Sequence, residues 1–387
     1  MVLRNGMYYL GLGVLAMALT GCGDSDTPAA YSAVQETNEE SPSEPENTEE
    51  ADATEEDAGA ESTEGGEEGS TSDIEEALEE DSAEDASAGE EADTAEETET
   101  DGTDGSEEET DTEVVLLDLK PGISELTLEQ EIKGEIVKRR LDIHVPDNLQ
   151  EISPDVTLPV YFFFHGNGGQ GKNGKEWIGP IVDQGLGVGI YPDGHLQSWN
   201  LGKEESTADD VAFVGAIFDT LASYPQLNLD LAFAIGYSNG AGFCHKLAVE
   251  TDYFRGIASM ASVLLMESLV DGALPKETNP LAVLQIHGTE DEVCPYDGGE
   301  GVAGHVFVPV TKSAALWALV NECADKPEIE ETEEENQLTL FTECAQKKVA
   351  SLAVVGAGHG IPPVTEGGLP LFIWDFFRDN YPELQIQ

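Results

Sequence analysis

Two kinds of hydrophobic pattern follow one another along the C-terminal part of the chain. Apolar and polar residues alternate at 125–131 and again at 136–145, on either side of Lys133 and Gly134, which is typical of an antiparallel hairpin. Short apolar runs then recur at wide intervals, and they suit strands that are buried on both faces of a sheet. These runs are 160–164, 188–191, 231–235, 256–261, 281–286 and 351–355.

Amphipathic stretches lie between the apolar runs. In one of them the apolar residues step by three and four along a single helical face, at Val211, Val214, Phe218 and Leu221. Residues 207–210 before that stretch resemble a helix-capping sequence. The alternation of strands and helices predicts an α/β fold whose mostly parallel sheet carries helices on both faces.

The N-terminus reads as a targeting segment. Arg4 supplies positive charge, residues 8–19 form an apolar run too short for a mature transmembrane helix, and small residues precede Cys22. This order resembles a bacterial lipoprotein signal, in which the cysteine is acylated and becomes the new N-terminus; an ordinary signal peptide is the alternative. We predict a signal peptide over residues 1–21, a lipidated Cys22, and export. An aspartate directly after the lipidated cysteine is the signal that retains a lipoprotein in the inner membrane. The residue after Cys22 is Gly23, so the outer membrane or cell surface is favoured over the inner membrane.

A strongly acidic segment follows. Nearly half of the 79 Asp and Glu residues lie between residues 23 and 113, where no Lys or Arg occurs. With few aromatic or branched apolar residues, the segment cannot bury enough surface to offset its ordering entropy. We therefore predict a disordered acidic linker over residues 22–112 that tethers a folded domain at 113–387. Acids also exceed bases in that domain, which excludes nucleic acid as a partner and leaves the lipid anchor as the predicted membrane contact.

Residues 236–240, with the sequence Gly-Tyr-Ser-Asn-Gly, fit the G-x-S-x-G motif. They follow one apolar run directly and precede a helical stretch, which is the context that a nucleophile elbow requires. We predict Ser238 as the nucleophile and the main-chain amide of Asn239 as a donor to an oxyanion. Tyr237 is predicted to contact substrate. A glycine-rich turn with a helix-capping serine is the alternative interpretation of the motif.

A nucleophilic serine needs a base, and the base needs an orienting acid; in this fold the chain order is serine, acid, histidine. His359 lies between glycines after the last apolar run and is the predicted base. Asp291, just past the end of another run, is the predicted acid, with Glu290 as the alternative. Three other histidines downstream of Ser238 are less suited to act as the base: His245, His287 and His305.

A second oxyanion donor is expected from the loop that follows the apolar run 160–164. Its sequence at 165–169, His-Gly-Asn-Gly-Gly, allows main-chain amides to point at a substrate. We predict Asn167 as the donor, with Gly168 as the alternative. His165 is assigned a structural hydrogen bond within the loop.

The cysteines contain no C-x-x-C pair, so a zinc ribbon is not predicted, and no metal site is expected. Cys323 and Cys344 flank an acidic insert at 327–336, and we predict a disulfide between them because export permits one. Cys244 and Cys294 are either bridged or two buried thiols, and the sequence leaves this open.

The motifs together resemble a known family, the polyhydroxybutyrate depolymerases and feruloyl or acetylxylan esterases. The resemblance implies an α/β-hydrolase fold and extracellular ester hydrolysis by Ser238, Asp291 and His359. It also implies that Trp199 lies near the substrate cleft, although a core aromatic is an equal alternative. The series is His165-Gly166, Tyr191-Pro192-Asp193-Gly194, Trp199-Asn200, Asp209-Asp210-Val211, residues 236–240, His287-Gly288-Thr289, Pro295-Tyr296, Trp317 with Cys323, and Gly358-His359.

Two positions depart from the family pattern, namely Cys294, where valine is usual, and Gly360-Ile361, where an aromatic residue usually follows the base. We predict a secreted serine esterase that acts through an acyl-enzyme, without metal or organic cofactor. Its predicted substrates are feruloyl or acetyl esters of plant polysaccharide, or hydroxyalkanoate esters. The alternatives are a serine peptidase of the same fold and a catalytically silent, surface-binding lipoprotein.

Overall fold

The computed structural model describes residues 116–386, except 154, 333, 334, 363, 365 and 366. The predicted signal peptide, Cys22 and the predicted acidic linker lie outside the described residues. The strands are β1 Gly122–Ile132, β2 Glu135–Val145, β3 Leu158–Phe164, β4 Val188–Pro192, β5 Leu227–Tyr237, β6 Gly256–Met260, β7 Ala282–Gly288, β8 Gly299–Glu300, β9 Val306–Phe307, β10 Glu328–Glu331, β11 Gln337–Phe341 and β12 Val349–Val354. The α-helices are α1 Gly174–Asp183, α2 Asp210–Leu221, α3 Asn239–Glu250, α4 Val310–Val320 and α5 Gly368–Asn380.

Ten strands form one sheet in the order β1-β2-β4-β3-β5-β6-β7-β12-β11-β10. The six central strands, from β4 to β12, are parallel to one another, and they are the six apolar runs of the sequence. Antiparallel strands extend the sheet on both sides. This topology confirms the prediction of an α/β-hydrolase fold with a mostly parallel sheet.

Helices cover both faces of the sheet, as predicted. Along β3, Phe162 and Phe164 belong to the buried cluster that includes residues of α2, α3 and α4. Tyr161 and Phe163 belong to the cluster that includes residues of α1 and α5. Successive side chains of a strand point to opposite faces, so a strand between two helical layers is apolar at every position. That requirement explains the uninterrupted apolar runs.

The predicted hairpin at the start of the domain is also present. β1 and β2 pair from Gly122 with Val145 to Ile132 with Glu135, and Lys133 and Gly134 make the turn at positive φ. A two-residue turn with positive φ matches the twist of the paired strands. β2 then pairs with β4 and joins the hairpin to the parallel strands.

Beyond the last parallel strand, the structure adds two strands at the edge of the sheet. The acidic insert at 327–336 contains β10, which pairs with β11 although all four of its residues are exposed. Cys323 and Cys344 form the predicted disulfide around this hairpin. Cys244 and Cys294 are free and buried, so they are not bridged to each other. Among the described helices, none combines the length and apolarity needed to cross a bilayer.

Candidate active site

Ser238 lies in a sharp turn between β5 and α3. Its φ is 53° and its ψ is −120°, a conformation that residues other than glycine rarely adopt. A Cβ atom at Gly236 would clash with the Gly240 carbonyl group, and one at Gly240 would clash with the carbonyl of Phe164. The turn therefore needs glycine on both sides of the serine, and the strain holds the hydroxyl at the carboxyl end of the sheet.

Three predicted residues meet at this turn. His359 Nε2 lies 2.8 Å from Ser238 Oγ, and His359 Nδ1 lies 2.9 Å from Asp291 Oδ2. They come from the carboxyl ends of β5, β7 and β12, and the last two strands are neighbours in the sheet. The exposed alternative acid, Glu290, contacts this loop through its amide, which donates to the carbonyl of Ala357. The distances suit proton transfer from the serine to the histidine, with Asp291 orienting the ring.

The carboxylate of Asp291 is buried and fully engaged. Its Oδ1 accepts the amides of Val293 and Cys294, each at 2.9 Å, while its Oδ2 faces His359. Burial opposes ionisation, but the hydrogen bonds from His287, from His359 and from the amide of Cys294 outweigh it and lower the pKa of Asp291 well below its usual range. Asp291 is therefore an anion that can hold His359 in one orientation.

His287 is not the base, but its contact with the Asp291 carboxylate was not predicted from the sequence. Its side chain is completely buried; its Nε2 lies 3.2 Å from Asp291 Oδ2 and 2.8 Å from the Cys294 carbonyl oxygen. One oxygen of Asp291, Oδ2, thus faces two histidines. The sequence feature that could have indicated this contact is the four-residue spacing between His287 and Asp291, just after the apolar run 281–286.

The two predicted oxyanion donors line the same cavity. Asn239 is the first residue of α3, and Asn167 follows the end of β3. The alternative donor, Gly168, uses its amide to bond the Gln197 carbonyl at 2.8 Å. The amide of Asn167 makes no hydrogen bond to another described residue, which leaves it available to an oxyanion. The assignment of both donors stays a prediction.

His165 fixes the shape of the loop that carries Asn167. Its Nδ1 donates to the carbonyl of Gly166 at 2.8 Å, and its Nε2 accepts the amide of Gly194 at 2.9 Å. Burial lowers the pKa of His165, so the ring is neutral, as this pair of hydrogen bonds requires. The ring ties the Asn167 loop to the loop after β4.

Of the two predicted substrate contacts, Trp199 instead lies in the aromatic core, which is the alternative that the sequence left open. Its side chain is fully buried, stacks on Phe243 at 4.9 Å between ring centroids, and donates from Nε1 to the His165 carbonyl. Tyr237 is half-buried, and its hydroxyl donates to the His359 carbonyl at 2.9 Å. The apolar indole gains more from the aromatic core than from the cleft. Substrate contact by Tyr237 stays a prediction, and its observed contact is with the His359 loop.

A cavity of about 570 Å³ opens beside Ser238. Its walls mix apolar side chains, such as Leu201 and Phe307, with the charged side chains of Lys203 and Glu204. The size suits a small organic group, since ligand pockets span roughly 300–1,000 Å³. No group of three or more His, Cys, Asp and Glu side chains among the described residues is arranged to hold a metal ion.

Cys294 also lines the cavity, at the position where the family pattern has valine. Burial raises the pKa of its thiol to about 12. The thiol is therefore protonated at neutral pH and is a poor nucleophile, because the thiolate is the reactive form. Cys294 acts here as an apolar wall residue beside Ser238.

The chain is similar to several known proteins. It is 25% identical over 236 residues to feruloyl esterase B of Piromyces equi, covering 58% of this chain and 42% of that protein. It is 28% identical over 255 residues to a protein of Aspergillus niger named "probable feruloyl esterase C", covering 63% of this chain and 85% of that protein. Among solved structures, the acetyl xylan esterase from Aspergillus awamori matches 63% of this chain and 94% of its own, with 15% identity and a TM-score of 0.44. No protein-family model matches the chain.

Proposed function

We propose that this chain is a serine carboxylic ester hydrolase of the kind found among the feruloyl esterases to which it is similar. The proposal rests on one observation, the hydrogen-bonded series from Ser238 through His359 to Asp291, with distances of 2.8 and 2.9 Å. The ends of three strands of a rigid sheet carry this series, and a cavity for an organic substrate opens beside it.

In the proposed reaction His359 Nε2 takes the proton of the Ser238 hydroxyl as Oγ attacks the ester carbonyl carbon. The negative charge moves to the carbonyl oxygen, where the amides of Asn239 and Asn167 receive it. His359 returns the proton to the departing alkoxide, which leaves as an alcohol, and an acyl-enzyme remains. Water then attacks the acyl-enzyme by the same route and releases the carboxylic acid. Asp291 keeps its negative charge throughout and orients the imidazole.

The proposed substrates are feruloyl or acetyl esters carried by plant polysaccharide. The names of the similar proteins support feruloyl esters. The cavity has room for an aromatic acyl group, and its mixture of apolar and charged walls suits a substrate with hydroxyl groups. Hydroxyalkanoate esters, the other class implied by the family resemblance, come second because the similar proteins are named for feruloyl esters.

Labelling of the protein with a fluorophosphonate probe, together with hydrolysis of p-nitrophenyl acetate, tests the reaction. Ser238→Ala should abolish labelling and lower turnover by roughly 10⁴-fold or more, because the nucleophile is lost. Ser223 precedes β5 and lies at the opposite end of that strand from Ser238. Ser223→Ala should therefore leave probe labelling and turnover unchanged. Undiminished turnover in Ser238→Ala would refute the assignment.

A comparison of methyl ferulate, acetylated xylan and hydroxybutyrate oligomers tests the substrate class. We expect the highest kcat/KM on one of the first two. A clear preference for hydroxybutyrate oligomers would overturn the substrate proposal while leaving the reaction intact.

We also propose export of the chain as a lipoprotein, with the acidic segment at 22–112 as a tether for the catalytic domain at 113–387. The charge and apolar patterns of the N-terminus support this. In a bacterial host, Cys22→Ser should move the protein from the membrane fraction to the soluble fraction. An unchanged membrane fraction would contradict lipidation.

A further inference from the structure

A second buried carboxylate, that of Glu204, lies in the wall of the active-site cavity. Its side chain is 9% exposed, and donors from three different parts of the chain surround it. Glu204 Oε1 lies 2.9 Å from His305 Nε2 and accepts the side-chain amide of Asn239 at 3.1 Å. Glu204 Oε2 accepts the main-chain amides of Leu201 and Lys203 at 2.7 and 3.2 Å.

These contacts join three segments that the sequence keeps apart: the loop after β4, the start of α3 and the loop before β9. Of the residues that contact Glu204, Asn239 matters for the reaction, because its main-chain amide directly follows Ser238 and is a predicted oxyanion donor. Its side chain is held at both ends: Oδ1 accepts the amide of Trp199 at 2.7 Å, and Nδ2 donates to the Trp199 carbonyl at 3.0 Å and to Glu204. Because Trp199 and Glu204 hold the side chain of Asn239, they also restrict the movement of its main-chain amide.

We infer that Glu204 is a positioning residue, which acts through the side chain of Asn239 to hold the Asn239 amide in place for the oxyanion. This inference rests on the function proposed above. An oxyanion donor must lie within a few tenths of an ångström of its place to stabilise the transition state, and small displacements cost large factors in rate. Glu204 accepts one of the four hydrogen bonds of the Asn239 side chain and anchors the loop that makes the other three, through Ser198 and Trp199.

The charge of Glu204 is not neutralised by the neighbouring lysine. The Lys203 ammonium pairs with Glu267 at 2.6 Å and bonds the carbonyl of Gly304. Burial opposes ionisation of Glu204, but the hydrogen bonds from His305 and from the main-chain amides outweigh it, so its pKa lies below the usual range. An anion in this wall attracts and orders N–H donors more strongly than a neutral acceptor would.

A double-mutant cycle on Glu204 and Asn239 tests the inference. We expect Glu204→Ala to lower kcat on p-nitrophenyl acetate by roughly 10- to 100-fold, with KM changed by less than about 3-fold, because the amide serves the transition state. Glu204→Gln keeps one acceptor oxygen and should lose less. In an Asn239→Ala background the same Glu204 substitutions should cost less than about 3-fold, because the side chain that transmits the effect is gone.

Glu267→Gln is the matched control, since it removes a carboxylate that pairs with the same loop and does not touch Asn239. Its kcat should stay within about twofold of the wild type. If Glu204→Ala fails to fold, as its thermal unfolding will show, the nearly isosteric Glu204→Gln completes the same cycle.

Two results would overturn the inference: a kcat in the Glu204 variants within about twofold of the wild type, or a loss that is just as large in the Asn239→Ala background. The second result would mean that Glu204 acts by a route other than Asn239. A different result, equal activity of the wild type and Ser238→Ala, would refute the proposed function itself.

Discussion

At the scale of single residues, the site depends on how many donors surround each carboxylate. Asp291 receives two main-chain amides and faces two histidines, while almost no solvent reaches it. Ionisation in such a place is favourable only because every oxygen lone pair that water would have served has a protein donor. The same principle applies to Glu204 in the wall of the active-site cavity.

The lowered pKa of Asp291 predicts a pH dependence of stability. The ionised form stabilises the folded state above the ordinary aspartate pKa of about 4, and this stabilisation is lost as the pH falls from there towards the lower folded value. The free energy of unfolding of the wild type should therefore exceed that of Asp291→Asn by less at pH 3 than at pH 5. Denaturant unfolding at the two pH values measures the difference, and a larger gap at pH 3 would contradict the prediction.

At the scale of elements, the loop after β4 is held in place by a buried ion pair. Arg139 of β2 bonds Asp210 at the start of α2 at 2.7 Å, and both side chains are almost completely buried. The other oxygen of Asp210 accepts the amide of Asn200 at 2.7 Å, and the Arg139 guanidinium lies 4.0 Å from the centre of the Phe213 ring. One pair thus connects the hairpin, a helix and the cavity loop.

Removal of one partner of this pair should be costly, because it leaves the other charge buried and unpaired. We expect Asp210→Ala to lower the free energy of unfolding by about 3–5 kcal/mol. The neighbouring Asp209→Ala is a matched control: Asp209 caps α2 by accepting the Ala212 amide, and its loss should cost only about 1 kcal/mol. Equal losses in the free energy of unfolding for the two variants, measured by denaturant unfolding, would contradict the prediction that the buried pair stabilises the fold more than the helix cap does.

At the scale of the whole molecule, the parallel sheet brings distant residues together. Ser238, Asp291 and His359 each follow the carboxyl end of a parallel strand, and those ends share one edge of the sheet. The disulfide between Cys323 and Cys344 encloses the edge strands β10 and β11, which are paired beyond the parallel part of the sheet. It therefore stabilises the edge without touching the site.

Replacement of both cysteines, Cys323→Ser with Cys344→Ser, should lower the free energy of unfolding by about 3 kcal/mol, because the unfolded chain regains the entropy of a 21-residue loop. The kcat should be unchanged. Reduced wild-type protein should unfold at the same denaturant concentration as the variant. A variant as stable as the oxidised wild type would contradict the prediction.

Local sequence determined most of the architecture. The six central strands could be predicted because burial on both faces demands apolar residues at every position, which gives apolar runs of four to six residues. Ser238 could be predicted because the strain of its turn requires glycine at two fixed neighbours. The order of serine, acid and histidine followed from the topology that those strands imply.

The tertiary structure alone decided the contacts between residues far apart in the chain. Whether Trp199 faced the cleft or the core depended on Phe243 and the His165 carbonyl, which no local pattern reveals. The hydrogen bond from the Gly168 amide to the Gln197 carbonyl, which bears on the predicted choice of Asn167 as donor, is likewise invisible in the local sequence. The roles of His287 and Glu204 came from neighbours in space, because the energy of a buried polar group depends on which donors reach it. Secondary structure follows from periodicity, whereas the detail of the site follows from long-range packing.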